Sequence, residues 1–121
     1  MDCISCKIIN KEIPCYKIYE DDIVLAFLDV NPTSNGHTLI VPKEHTLDIT
    51  TISNDTLMHI FECSKKISKL LEEKLGIKGF TLAQNNGISQ EVKHFHLHII
   101  PKYNENQALE EVSEIYKKIN S

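Results

Sequence analysis

An α+β domain built on an antiparallel sheet is the fold class this sequence predicts. Three observations carry it: five short strand-like runs, two stretches with helical periodicity, and no regular alternation between the two kinds. At 121 residues the chain is long enough for one core and too short for two domains of ordinary size, so a single domain over residues 1–121 is expected. Its 41% hydrophobic and 25% charged residues disfavour collagen-like, disordered and membrane-spanning classes.

Residues 15–20 and 23–29 are apolar-rich runs around Asp21 and Asp22, a pair of turn formers, and read as a hairpin. Residues 32–36 form a loop of turn residues. A third strand follows over 37–41, stopped by Pro42, and 43–51 is a connector. Beyond an N-cap at Ser53 or Asn54, Leu57, Ile60, Phe61, Ile67, Leu70, Leu71 and Leu75 recur at three- and four-residue spacing until Gly76, which predicts the main helix. Lys65, Lys66, Lys69, Glu72 and Glu73 form its solvated side, and His59 is expected at its surface. Residues 80–85 and 92–100 supply two more strands, parted by the Asn86-Gly87 turn and closed by Pro101. The tail over about 106–119 reads as a short amphipathic helix.

A net charge of −4 leaves no basic field for a nucleic-acid backbone or an anionic membrane, although one small phosphate can be held by backbone amides. Residues 1–7 lack the basic and long apolar segments of a secretory leader, and no apolar run approaches the roughly 20 residues that cross a bilayer. A cytoplasmic setting is expected. There, Cys3-x-x-Cys6 either binds metal or stays as two free thiols, and Cys15 and Cys63 read as buried small residues.

The chemistry concentrates in His94-Phe95-His96-Leu97-His98-Ile99-Ile100, where strict alternation on a strand puts three imidazoles on one face and Phe95, Leu97 and Ile99 in the core. A solvent-facing strand ordinarily mixes Lys, Glu, Thr and Ser. Two kinds of site use a histidine face. A three-histidine metal centre is strained here, because consecutive same-face positions spread the outer Cα atoms about 13 Å apart at about 3.3 Å per residue. Nucleophilic catalysis suits the row better: a central imidazole attacks phosphorus, and its neighbours orient it and handle protons. Crowded imidazoles also disfavour one another's protonation, which keeps the attacking nitrogen neutral.

The segment Gln90-Glu91-Val92-Lys93-His94-Phe95-His96-Leu97-His98-Ile99-Ile100-Pro101 resembles the signature of the histidine triad family of nucleotide hydrolases and transferases. The resemblance runs back through residues 19–22, 26–32, 36–45 and 85–87 and covers nearly all of 3–103, most like the Hint-type bacterial branch. It implies a five-stranded antiparallel sheet per subunit in a homodimer that hydrolyses purine nucleoside phosphoramidates. In that pattern His96 is the nucleophile, with His98 and His37 as proton-handling partners. Asp29 accepts from the ribose hydroxyls, and Asn85 with Gln90, Glu91 and Val92 contacts the phosphate. Ile4, Ile8, Ile13, Phe27, Leu28 and Val30 form the purine slot. Relatives with a structural zinc imply a Cys3, Cys6, His45 and His94 ligand set, which would place His94 outside the chemistry. The same site serves a diadenosine polyphosphate hydrolase or a nucleotidyl transferase. A zinc-stabilised nucleotide- or partner-binding module is the non-enzyme alternative. Three departures stand out: Ser5 replaces a frequent aromatic, the 86–90 loop is short and lacks a glycine before Gln90, and Glu91 stands where some relatives have Ser or Thr.

Overall fold

The computed structural model describes residues 3–121; Met1 and Asp2, included in the expected domain and in the leader reading, lie outside the described residues. Helix α1 (Ile4–Ile9) leads into strands β1 (Lys17–Glu20), β2 (Val24–Leu28) and β3 (Thr38–Pro42). The long helix α2 (Asn54–Leu75) follows, then β4 (Gly79–Ala83), a single 3-10 turn (Gly87–Ser89), β5 (Leu97–Lys102) and α3 (Val112–Ile119). The five strands make one antiparallel sheet in the order β1-β2-β3-β5-β4.

The expected hairpin forms because Asp21 Oδ1 accepts from the amides of Ile23 and Val24 at 2.8 and 2.9 Å, closing the turn between β1 and β2. All five residues of β2 are buried, since both faces of the sheet are covered. Val24, Ala26 and Leu28 join Ile40, Phe95, Leu97 and Ile99 against Ile60, Ile67 and Leu71 of α2 in the main core. Leu25 and Phe27 point the other way, with Val41, under Ile8 and Ile9 of α1. The α2 limits match the sequence reading. Ser53 Oγ accepts from the Thr56 amide at 3.2 Å, and Gly76 ends the helix at φ +67°, a left-handed conformation that glycine adopts without strain. Gly36 is constrained more tightly, because at φ +92° a Cβ would lie 2.6 Å from Leu75 Cδ1. That close approach seats the chain entering β3, and with it His37.

Several elements differ from the expectations. Strand β5 begins at Leu97, not at 92, because its partner runs out: Ile40 pairs with Leu97, and further along β3 the Pro42 carbonyl is taken by the His94 ring at 2.9 Å. The chain before Leu97 bends instead, with the His94 amide donating to Val92 O at 2.9 Å and the Phe95 amide to Thr46 O at 2.6 Å. Pro101 lies inside β5 and does not close it. Its carbonyl accepts from Ser34 Oγ at 2.7 Å on the flank away from β4, so the ring nitrogen faces that flank too and costs the β4 ladder no donor. Helix α3 starts at Val112, since Asn35 holds residues 108–110 by donating to Ala108 O and accepting from the Glu110 amide. Helix α1 was not foreseen. Six residues are too few to establish a helical period, and the Cys3 sulfur caps them by accepting from the Cys6 amide at 3.4 Å.

Candidate active site

The three aligned histidines divide between two places. Phe95, Leu97 and Ile99 enter the core as the alternation requires. His94, fully buried, turns toward the N-terminus. His96 and His98, with rings 4.9 Å apart, face a cavity of about 350 Å³ on the α1 side of the sheet. That volume falls at the lower end of the range for small-molecule sites. A larger hollow of about 490 Å³ beneath the C-terminal tail contains none of the histidines.

The cavity brings together Ile4, Ile8, Ile13, Phe27, Leu28 and Val30 as an apolar lining, with Asp29, Glu91 and Val92 also on its wall. His37 stands just behind, its Nε2 2.9 Å from His98 Nδ1 and 3.7 Å from Asp29 Oδ2. Asn85 is exposed beyond the end of β4, and the buried Gln90 donates to Leu47 O at 2.7 Å; neither is among the residues lining the cavity. Pro14, Cys15, Asn31 and Leu39 line it although sequence reasoning left them out. For Leu39 the signal was present, since alternation along β3 sets it on the face opposite Ile40.

Hydrogen bonds assign each imidazole tautomer in turn. The Thr33 amide donates to His37 Nδ1 at 3.0 Å, so the proton of neutral His37 sits on Nε2 and is donated to His98 Nδ1. His98 then carries its own proton on Nε2, toward the cavity side. Separately, His96 Nδ1 lies 2.7 Å from the His94 carbonyl, which can only accept, so in the neutral ring the proton sits on Nδ1 and Nε2 has the lone pair. Burial lowers the pKa of His37 against the pull of Asp29. Burial first, then the His96 and His37 rings, push His98 down to about 4. Both rings are neutral at pH 7, so His37 meets the Asp29 carboxylate without forming an ion pair.

The N-terminal cluster has a different chemistry. Cys3 Sγ and Cys6 Sγ lie 3.3 and 3.5 Å from His94 Nδ1, Cys6 Sγ lies 3.2 Å from His45 Nδ1, and the two imidazole nitrogens are 3.1 Å apart. The four donor atoms all lie within 4.8 Å of one another. Ligands at about 2.0–2.3 Å around a tetrahedral ion have edges of this order, so the donor set fits zinc. The outer shell agrees: His94 Nε2–H donates to Pro42 O, which leaves Nδ1 free to ligate. Cys3 also caps α1, so the cluster anchors the helix from which Ile4 and Ile8 reach the cavity.

Residues 10–105 match the family model of the HIT domain. The chain belongs to the HIT family. It is 50% identical over 103 residues to an uncharacterized HIT-like protein of Methanocaldococcus jannaschii, covering 84% of this chain and 79% of that one. An adenosine 5'-monophosphoramidase of Schizosaccharomyces pombe is 43% identical over 111 residues, 90% of this chain and 80% of that protein. Among solved structures, a Zn-bound histidine triad family protein from Mycobacterium smegmatis superposes with a TM-score of 0.90 at 32% identity, covering 98% of this chain and 91% of that one. Among the described residues of this HIT protein, no helix is long and apolar enough to cross a membrane.

Proposed function

We propose that this HIT protein hydrolyses P–N or related bonds of purine nucleoside 5'-monophosphate derivatives through a covalent nucleotidyl-His96 intermediate. The observation that carries the reading is the His96 tautomer, which leaves an unprotonated Nε2 at the cavity with Nδ1–H anchored on a main-chain carbonyl. The apolar wall takes the purine, and Asp29 offers acceptor oxygens to the ribose hydroxyls. Glu91 and Val92, which line the cavity, are assigned to the phosphate end, and Asn85 and Gln90 are assigned there on the family pattern alone.

In the first half-reaction His96 Nε2 forms a bond to phosphorus while the P–N bond to the leaving amine breaks, the departing nitrogen taking up a proton from the solvent side. His98 Nε2–H, held by the His37 relay, donates to a phosphoryl oxygen. In the second, water attacks phosphorus, the electron pair returns to His96, and mononucleotide and a proton leave. A zinc ion held by Cys3, Cys6, His45 and His94 would contribute folding energy, with no open position for substrate.

Charge favours an amine over the anionic leaving group of a dinucleoside polyphosphate. The cavity's described lining includes the carboxylates of Asp29 and Glu91 and no lysine or arginine. A leaving group that adds negative charge meets repulsion there; a neutral or cationic amine does not. A homodimer is also proposed, supported by β4 at the end of the sheet, with Phe80 and Leu82 40% and 37% exposed. Light scattering at twice the subunit mass is the expected result.

The deciding experiment is mass spectrometry of enzyme quenched during turnover of adenosine 5'-phosphoramidate. A nucleotidyl adduct on His96 is expected. Tight nucleotide binding with neither adduct nor turnover would establish the binding-module alternative instead.

A further inference from the structure

A second cluster of metal-type donors lies outside both sites described above and shares no residue with them. His59 and Cys63 are four residues apart on α2, one turn along the same face. Against that face stands Asp21, from the turn between β1 and β2. Asp21, His59 and Cys63 each offer one ligand atom, and the three atoms lie within 4.8 Å of one another. We propose that Asp21, His59 and Cys63 bind a divalent ion of the zinc type, clasping the first hairpin turn to the main helix.

The donor chemistry selects the ion. One imidazole nitrogen, one sulfur and one carboxylate oxygen suit zinc and its heavier congener cadmium, whereas magnesium and calcium require sets made of oxygen. A thiolate and a carboxylate also balance the two positive charges, so the occupied site is neutral. Support behind the carboxylate is already built. Asp21 Oδ1 is fixed by the amides of Ile23 and Val24, and Tyr19 OH donates to Oδ2 at 2.8 Å, leaving Oδ2 aimed at His59. Cys63, a free cysteine only 2% exposed, forms the floor, while Asp21 and His59 are half-buried at the rim. The ion therefore enters from solvent, and water completes its shell.

Without an ion, His59 Nε2 and Asp21 Oδ2 share a hydrogen bond at 2.7 Å. Two ligands on a tetrahedral ion at about 2.0–2.2 Å stand about 3.3–3.6 Å apart, so loading opens this pair by less than about 1 Å. It also moves two protons: the neutral His59 ring shifts from its Nε2–H to its Nδ1–H tautomer, which frees Nε2 to ligate, and the S–H bond of Cys63 breaks as a sulfur–metal bond forms, so one proton leaves to solvent.

The test is a cadmium titration of the reduced full-length protein, read by equilibrium dialysis with metal analysis and by cadmium-113 NMR. His59→Ala and Cys63→Ser are each expected to bind one equivalent fewer per subunit than wild type and to lose the same resonance, which Cys3→Ser retains. His59 is at the rim and alanine suits a helix, so His59→Ala remains informative where Cys63→Ser fails to fold. Equal cadmium uptake by wild type and folded His59→Ala overturns the proposal.

Discussion

His94 and His96 are two residues apart, both buried, and each spends one ring nitrogen on a backbone carbonyl, yet they prepare opposite nitrogens for opposite purposes. His94 donates from Nε2 to Pro42 and presents Nδ1 to two cysteines and His45. His96 donates from Nδ1 to His94 and presents Nε2 to a cavity. The carbonyl each ring finds, not the residue type, decides which nitrogen is free and so whether the side chain suits a ligand or a nucleophile. The two roles are also mechanically joined, since the carbonyl that orients His96 belongs to the residue whose ring sits in the cysteine cluster.

The sharpest way to break this contrast is to remove each ring in turn. His96→Ala should lower turnover of adenosine 5'-phosphoramidate by about ten-thousandfold or more while leaving the urea midpoint near that of wild type. His94→Ala should do the reverse in stability, costing about 2–3 kcal/mol in chemical denaturation by emptying a fully buried polar site. If the two variants show the same balance of lost turnover and lost stability, the division of roles is wrong.

Asp29→Asn comes next. With its Oδ1 still accepting from the Asn31 amide, the turn should survive, and kcat/KM should fall by about 10–100-fold, the loss of a charge-assisted hydrogen bond. A 2'-deoxy substrate should be discriminated by wild type and not by the variant; equal discrimination by both would remove Asp29 from the ribose.

Acid should separate the regions more gently. Folded His98 titrates at about 4 and His37 is lowered as well, whereas unfolded histidines titrate near about 6.5, so in that window the unfolded chain binds more protons. Their contribution to stability is full above about 6.5 and is lost as the pH falls toward 4. Urea midpoints at pH 7 and pH 5 test the sign, and a higher midpoint at pH 5 in His98→Asn than in wild type, relative to pH 7, would locate the effect. The smallest effect is expected from exposed Glu91, where Glu91→Gln should reduce the preference for a cationic over an anionic leaving group by about fivefold, measured as a ratio of kcat/KM values.

Much of this was legible in the chain itself. Helix α2 was delimited at both ends because its cap, period and terminal glycine are local signals, and Asp21 marked the first hairpin because its side chain closes the turn it sits in. The apolar members of the histidine segment were equally plain, since Phe95, Leu97 and Ile99 obey the two-residue alternation of an extended chain. Helix α1 was not legible: it is held by a cysteine cap and by a cluster with residues 39 to 91 positions away. Nor was the start of α3 at Val112, although the helix itself was, because Asn35 reaches across the fold to hold the tail before it extended.

Periodicity therefore determined which side chains of residues 94–100 enter the core, and the resemblance across residues 3–103 determined the family and the candidate residues. Only the tertiary structure decided that the three histidines part company, that Pro101 can lie within a strand, and that His59 meets Asp21. The reason is range: caps, turns and alternation act over a few neighbouring residues, whereas a ring's free nitrogen depends on a carbonyl and donors supplied by distant parts of the chain.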